Sequence, residues 1–310
     1  MAGFIAISGG RFKRIGGFGG VSAGEGATAG KRPETWVGKP TEHGHTRGMD
    51  ARTALVTGAN RGLGLEVCRQ LGQAGMLVIA SSRREAEGRD AVAALRRERL
   101  DVVHEICDVA DDTSVSALAE RLSARGQTLD VLVNNAGISM HGFDAEVAEK
   151  TVNVNFTGAL RVTDMLGPAL RDDGRIVMVS SAMGKLSALS PELRRRFLAN
   201  GLTRATLVGL VQEFVRDVAL GRHSERGWPS SAYRVSKVGL NALARVFARE
   251  LAQRRIKVNA VCPGWVQTDM GGRAAPRTLV QGAASITWAA LVPESGPTGG
   301  FFRDGTAIPW

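Results

Sequence analysis

The run Thr53-Ala54-Leu55-Val56-Thr57-Gly58-Ala59-Asn60-Arg61-Gly62-Leu63-Gly64 decides the architecture of this chain. Its first five residues are apolar or β-branched and read as a buried strand. Glycines follow at G-x-x-x-G-x-G spacing, and residues 62–74 then carry a helical apolar period. A strand, a glycine turn and a helix in immediate succession open a βαβ unit.

The alternation continues outward from that unit. Strands are predicted over 76–81, 101–106, 129–133, 175–180 and 256–262, and helices over 85–97, 113–125, 145–170 and 231–253. Strands this apolar, separated by helices, predict a doubly wound parallel α/β sheet, Rossmann-like, of about seven strands with helices on both faces. The connection from Ser181 to Tyr233 is far longer than a strand-to-helix turn needs. Residues 183–230 therefore read as a helical insertion, with helical pieces at 191–201 and 204–220. The Gly- and Pro-rich stretch from Cys262 to Pro276 crosses the carboxyl ends of the strands, where a mobile lid is expected.

Residues 51–310 read as one domain. Residues 1–50 differ from them: Gly9-Gly10, Gly16-Gly17 and Gly19-Gly20 punctuate a stretch without periodicity. A disordered Gly/Arg-rich extension is expected there, with Met49 as a candidate initiator.

Composition narrows the function. Of 310 residues, 44% are hydrophobic and 23% charged, which is ordinary globular usage and excludes a fibrous or wholly disordered chain. Cys68, Cys107 and Cys262 show no C-x-x-C spacing, so neither a disulfide framework nor a zinc ribbon is expected, and a reducing cytoplasmic setting fits. No run of eighteen apolar residues offers a membrane span. Forty Lys+Arg against thirty Asp+Glu give a net charge of +10, yet the arginines are scattered and aromatics are 5%. A nucleic-acid binder would cluster its charge on one face, so no nucleic-acid partner is expected. His43, His45, His104, His141 and His223 show no metal-ligand spacing, and Ser180-Ser181 lacks the G-x-S-x-G elbow of a serine hydrolase.

The glycine turn suits a pyrophosphate. It permits positive φ and close backbone approach, and the helix behind it presents a positive N-terminus. The same glycines would also serve a purely structural turn. At the end of the second strand an NAD site carries a carboxylate for the ribose 2′-hydroxyl. Here stand Ser82, Arg83 and Arg84, and with Arg61 they offer guanidinium groups to a 2′-phosphate, so NADPH/NADP+ is the expected cofactor. Solvated arginines at a helix start would give the same pattern. Asp108-Val109 after the third strand offers a carboxylate to an adenine amino group. Asn134-Asn135-Ala136-Gly137 follows the fourth, in residue types that equally suit a plain turn.

Tyr233 and Lys237 are spaced i, i+4 and share a helix face, and Tyr233 is the sole tyrosine. An ammonium near a phenol favours the phenolate and brings a group of ordinary pKa about 10 toward working range. An amphipathic surface helix would also contain such a pair. Ser181, at a strand end, can hydrogen-bond a carbonyl oxygen or merely cap a turn. With metal and serine-hydrolase chemistry lacking their patterns, hydride transfer remains.

Taken in order, TGANRGLG at 57–64, NNAG at 134–137, Asn155, VSS at 179–181, YRVSK at 233–237 and PGWVQTDM at 263–270 resemble the short-chain dehydrogenase/reductase family. The long insertion, GWPSSAY at 227–233 and CPGWVQTDM at 262–270 are similar to the monomeric NADPH-dependent carbonyl reductases within it. The resemblance implies that Tyr233 protonates the carbonyl oxygen of a small ketone, aldehyde or quinone as hydride reaches its carbon. Lys237 would hold the nicotinamide ribose and lower the phenol's pKa, Ser181 would orient the carbonyl, and Asn155 would anchor a proton-relay water. Cofactor contacts are implied for Gly58, Asn60, Arg61, Gly62, Leu63, Gly64, Arg83, Asp108 and Val109. They are also implied for Asn134, Ala136, Gly137, Tyr233, Lys237, Pro263, Gly264, Val266 and Thr268. Met183, Trp265 and Met270 match substrate-wall positions, though such residues also serve plain cores. The insertion implies a monomer. The competing reading is a non-catalytic NADP(H)-binding redox sensor, a type that tends to lose the tyrosine or the lysine.

Overall fold

The computed structural model describes residues 52–310; the expected extension over residues 1–50 lies outside the described residues. The chain runs β1 (Thr53–Thr57), α1 (Gly62–Gln73), β2 (Leu77–Ser82), α2 (Glu85–Arg97), β3 (Val102–Ile106), α3 (Asp112–Ala124) and β4 (Leu129–Asn134). It continues through α4 (Ala145–Val152), α5 (Gly158–Leu166), β5 (Leu170–Val179), α6 (Pro191–Leu198), α7 (Arg204–Ala219) and α8 (Ala232–Glu250). It closes with β6 (Lys257–Val261), α9 (Leu279–Ala290), β7 (Phe301–Arg303) and β8 (Thr306–Ala307).

The strands form one sheet in the order β3-β2-β1-β4-β5-β6-β7-β8, parallel except for the short antiparallel β8. Leu55 of β1 sits opposite both Ile79 and Leu132, so β1 is paired on both edges and buried on both faces. The two-residue period divides its side chains. Ala54 and Val56 join the core under α1, α2 and α9, while Leu55 joins the core under α3, α4, α5, α7 and α8. Chain order runs outward from β1 to β3 on one side and from β4 onward on the other. The crevice at the carboxyl ends of β1 and β4 is thus the switch point where ligands of open α/β sheets bind.

Three details differ from the sequence reading. The sheet has eight strands, because the chain turns back after β7 to add the two-residue β8. The helix expected over 145–170 is interrupted: a widened turn occupies Asn153–Thr157, and a tight turn over Gly167–Ala169, with Pro168, ends α5. The widened turn coincides with Asn155, whose side chain reaches out to the backbone of Ile138. A glycine at 158 then allows close packing, since a Cβ there would lie 3.0 Å from the Val109 carbonyl oxygen. Finally β5 begins at Leu170, with irregular pairing before Arg175 and a left-handed Asp173 at φ 59°.

The long connection contains α6 and α7; α7 packs against α4 and α8, and α6 against α8. Among the described residues no helix is long and apolar enough to cross a membrane.

Candidate active site

The glycine turn joins β1 to α1, and its conformation depends on having no side chains. Gly58 has φ 64°, and a Cβ there would sit 2.9 Å from Ala136 Cα; one at Gly64 would sit 2.4 Å from the Gly58 carbonyl oxygen. The turn therefore lies directly on the Asn134–Gly137 segment. Asn135 fastens them, its Nδ2 donating to the carbonyl oxygens of Thr57 (2.8 Å) and Gly58 (3.1 Å). Thr57 Oγ1 accepts in return from the N–H groups of Asn135 (3.0 Å) and Ala136 (3.1 Å). Asn135 and Thr57 were not singled out from sequence, although both stand inside quoted motifs. Asn134 is buried, its Nδ2 spent on Thr163 Oγ1 at 3.0 Å inside the core.

α1 begins without a side-chain cap and without an acidic residue in its first turn. Its first N–H groups and positive end are left available for an anion, as a pyrophosphate seat requires. Around the same mouth, Arg61 ion-pairs with Asp269, and Arg84 pairs with Glu87 at 2.5 Å. Asn60 Nδ2 also donates to Glu87, at 2.7 Å. The Arg84 guanidinium holds the Glu87 carboxyl below its ordinary range, so it is ionised at neutral pH. Of the three guanidinium groups expected to meet a 2′-phosphate, Arg83 alone is exposed with no ion pair among the described residues. Glu87 was missed, lying two residues inside α2, where an acidic first turn is ordinary.

His104 of β3 supports this corner. Ser82 Oγ donates to the Arg84 carbonyl oxygen (2.9 Å) and lies 2.9 Å from His104 Nε2, which then carries the proton. Gly88 leaves the room, since a Cβ there would meet the imidazole at 2.0 Å. Just beyond β3, Asp108 Oδ1 accepts from Ala110 N (3.0 Å), and Val109 is buried.

The Pro263–Thr268 segment comes over the glycine turn from the other side. Leu63 and Val266 converge on Gly282 of α9, where a Cβ would meet them at 2.9 and 2.6 Å. Thr268 faces Gly62, and its Oγ1 accepts from Gly271 N at 2.9 Å. Pro263 is buried and Gly264 takes φ 86°. The stretch expected as a lid is cross-linked to itself: Val266 bridges Arg277, Gln267 Nε2 donates to the Ala275 carbonyl oxygen at 3.0 Å, and Trp265 Nε1 to that of Gly271 at 2.7 Å.

Ser181, Tyr233, Lys237 and Asn155 converge at the ends of β5 and α8. Ser231 caps α8, its hydroxyl accepting from Arg234 N at 3.4 Å, which sets Tyr233 and Lys237 in the first two turns. Ser181 Oγ accepts from Met183 N at 3.1 Å, and its hydroxyl lies near enough to the Tyr233 phenol to favour the phenolate. Lys237 is buried; its Nζ donates to the Val179 carbonyl oxygen at 2.8 Å and lies 5.5 Å from the Tyr233 ring centroid. Asn155 Oδ1 accepts from Ile138 N (2.7 Å), while its Nδ2 donates to the Ile138 carbonyl oxygen (2.9 Å) and to Ser236 Oγ (3.1 Å). Gly137 fits between them: a Cβ there would lie 3.3 Å from Asn155 Oδ1 and 3.7 Å from Lys237 Nζ.

Burial governs both titrating groups. It pushes the Tyr233 phenol above its ordinary range, with the neighbouring Ser181 hydroxyl pulling the other way. It brings the Lys237 ammonium down to about 8. The Lys237 ammonium is directed at the Val179 carbonyl oxygen, and burial is the larger influence on the phenol.

Cys262 opens the CPGWVQTDM run but was given no role from sequence. Its buried Sγ accepts from Ala182 N (3.2 Å), Gly264 N (3.3 Å) and Arg303 NH2 (3.4 Å). One sulfur thus ties the Ser181 loop, the Gly264 turn and β7 together.

A cavity of about 160 Å³ opens beside Tyr233, with Met140, Met183 and Ser230 on its wall. Met183 is half-open to solvent on that wall. Trp265 and Met270 are exposed on the crossing segment and do not line this cavity.

The chain matches the short chain dehydrogenase family model over residues 52–190 and the enoyl-(acyl carrier protein) reductase model over 202–287. It is 39% identical to carbonyl reductase [NADPH] 1 of Rattus norvegicus, over 84% of this chain and 99% of the relative. The solved structure of salutaridine reductase from Papaver somniferum superposes with a TM-score of 0.76 at 32% identity, covering 82% of this chain and 99% of that one. Menthone neomenthol reductase from Mentha piperita gives 0.72 at 33%, covering 82% and 98%. With a relative this similar along nearly its whole length, and with the glycine turn and the Ser–Tyr–Lys cluster at the switch point of the sheet, the chain belongs to the short-chain dehydrogenase/reductase family.

Proposed function

We propose that the protein is an oxidoreductase that reduces the carbonyl group of ketones, aldehydes or quinones with NADPH, as the name of its carbonyl reductase relatives suggests. The observation that carries this reading is the Tyr233 phenol, beside Ser181 and set on the wall of a cavity, with the buried Lys237 ammonium one helical turn away. Residues fitted to the cofactor are those whose side chains are absent or unspent: Gly58, Gly62 and Gly64 at the pyrophosphate, the uncapped start of α1, and Arg83 at the 2′-phosphate. Asn60, Arg61, Asp108 and the 263–268 segment complete that surface.

Bound NADPH supplies the hydride. The chain's own residues handle charge and proton. Ser181 and Tyr233 donate to the substrate oxygen, which gains negative charge as its carbon is reduced. The raised phenol pKa keeps Tyr233 protonated at neutral pH, the form a reduction consumes. The Tyr233 Oη proton passes to the substrate oxygen, and the Lys237 ammonium stabilises the phenolate left behind. Asn155, clamped on Ile138, holds the widened turn at the inner end of this path.

Domain organisation and setting are part of the same reading: one reductase domain over 51–310 with the 183–230 insertion, acting as a cytoplasmic monomer. Support comes from α6 and α7 lying against α8, a face that would otherwise be open to a second subunit, and from three buried free cysteines. Sedimentation of the purified protein tests the monomer.

The deciding experiment follows NADPH oxidation with aromatic aldehydes, diketones and quinones. Tyr233→Phe is expected to lose about 10²- to 10⁴-fold in turnover while still binding NADPH. Turnover equal to wild type in that variant would overturn the reading. NADPH binding by the wild type with no turnover of any carbonyl would favour the non-catalytic redox sensor.

A further inference from the structure

Ser82 is the last residue of β2, and its side chain joins two parts of the chain. Ser82 Oγ donates to the Arg84 carbonyl oxygen at 2.9 Å and lies 2.9 Å from Nε2 of His104 in β3. A carbonyl oxygen only accepts, so the single hydroxyl proton goes to Arg84 and His104 is the donor to Ser82. Burial lowers the pKa of His104 against the pull of Glu105 and Glu85, so the ring is neutral at pH 7 with its proton on Nε2. The Arg84 carbonyl also accepts the first helical bond of α2, from Gly88 N at 3.1 Å. The bend over 82–84 is thus tied at both ends, and between them stands Arg83, exposed and without an ion pair among the described residues. Helix α2 gives up a side chain to seat the ring: a Cβ at Gly88 would lie 2.0 Å from His104 Nε2 and 2.5 Å from Ser82 Oγ. Glycine inside a helix is less favourable than alanine, so the notch serves the hydrogen-bonded pair rather than the helix.

Resting on the reading of the protein as an NADPH-dependent carbonyl reductase, we propose that His104 is a positioning residue for cofactor choice: by donating to Ser82 it fixes the bend from which Arg83 meets the 2′-phosphate of NADPH. His104 itself needs no contact with the cofactor. With the imidazole donor in place the Ser82 hydroxyl has one direction, toward Arg84, and the peptide units on both sides of Arg83 are held before the nucleotide arrives. Without that donor the hydroxyl is free to turn away from Arg84, and ordering Arg83 then weakens binding. NADH lacks the 2′-phosphate and gains nothing from either residue.

The test measures Kd for NADPH and for NADH, by nucleotide fluorescence, in wild type, His104→Leu, Ser82→Ala, Arg83→Ala and the double variant Arg83→Ala/His104→Leu. His104→Leu keeps an apolar side chain on β3 and removes the donor. It is expected to weaken NADPH binding about fivefold, the scale of one hydrogen bond, and to leave NADH binding unchanged. Ser82→Ala cuts the same link from its other end by deleting one oxygen; it gives the same loss and carries the test if His104→Leu does not fold. In the Arg83→Ala background His104→Leu has no further effect, because the side chain it positions is gone. An equal loss on both nucleotides, additive losses in the double variant, or NADPH binding unchanged in His104→Leu and Ser82→Ala overturns the role of His104 and leaves the reductase reading standing. NADPH binding unchanged in Arg83→Ala overturns the 2′-phosphate assignment and the role of His104 with it, and a wild type that binds no NADPH overturns the reductase reading as well.

Discussion

Lys237 donates its ammonium proton to the main-chain oxygen of Val179 at 2.8 Å, and that oxygen belongs to the last residue of β5, two positions before Ser181. One hydrogen bond therefore fixes the charge on α8 against the strand end that carries the serine. Because the ammonium is buried, its pKa drops to about 8. Carbonyl reduction needs Tyr233 protonated, which burial favours, and Lys237 charged. The value of kcat/KM for NADPH, which reads the free enzyme, is expected to stay level near neutrality and to fall about tenfold per pH unit above 8. A profile measured from about pH 6 to about pH 10 that turns down only near the ordinary lysine value would contradict this role for the burial.

The same burial makes Lys237 a stability liability. A base whose folded pKa lies below its unfolded one carries its penalty in full below the folded value, and sheds it as pH rises from about 8 toward 10.5. At neutral pH that penalty is on the order of 3 kcal/mol, partly offset by the Val179 bond. Lys237→Met is expected to abolish turnover and to melt a few degrees above wild type at neutral pH, with the gap narrowing in alkaline buffer. Calorimetry at the two pH values checks it, and a lower melting point for the variant at neutral pH would contradict it.

Asn135 spans the glycine turn and the end of β4, and its side chain satisfies two carbonyl oxygens at once. Asn135→Ala leaves both without that donor, at a cost of about 1–3 kcal/mol. The expected result is a melting point several degrees lower and a weaker NADPH Kd, read by thermal shift with and without cofactor. A variant with unchanged NADPH affinity would show that the turn holds its shape without the clamp.

Arg83 is expected to separate the two nicotinamide cofactors. Among the described residues Arg61 and Arg84 each have a carboxylate partner and Arg83 has none, so Arg83 is the readiest to meet a 2′-phosphate. Arg83→Ala is expected to raise KM for NADPH about tenfold and to leave KM for NADH unchanged, a loss in line with one charge-assisted contact. Equal effects on both cofactors would assign the arginine to solvent.

The sheet, the glycine turn and the Tyr–Lys pair were legible because each depends on a local pattern: apolar runs, glycine spacing, an i, i+4 step. What escaped depends on contacts distant in sequence. Nothing in the run from Ala145 to Leu170 announces the widened turn at Asn153–Thr157, because Asn155 is drawn out by Ile138, whose position is set by β4. Glu87 looked like an ordinary helix-start carboxylate until Asn60 and Arg84 were seen to share it. Cys262 carried no spacing signal, since its three donors come from separate loops and a strand. Trp265 and Met270 were read as pocket wall from their motif, yet the internal bonds of their segment hold them at the surface.

The insertion meets the cavity at its two ends, through Met183 on one side and the Ser230–Tyr233 approach on the other, while α6 and α7 are occupied in packing on α8 and α4. Randomising Met183 and Ser230 thus gives a mutational library in which substrate preference can drift while the hydride-delivery machinery is inherited intact. Evolvability and foldability are housed in different stretches of the same loop.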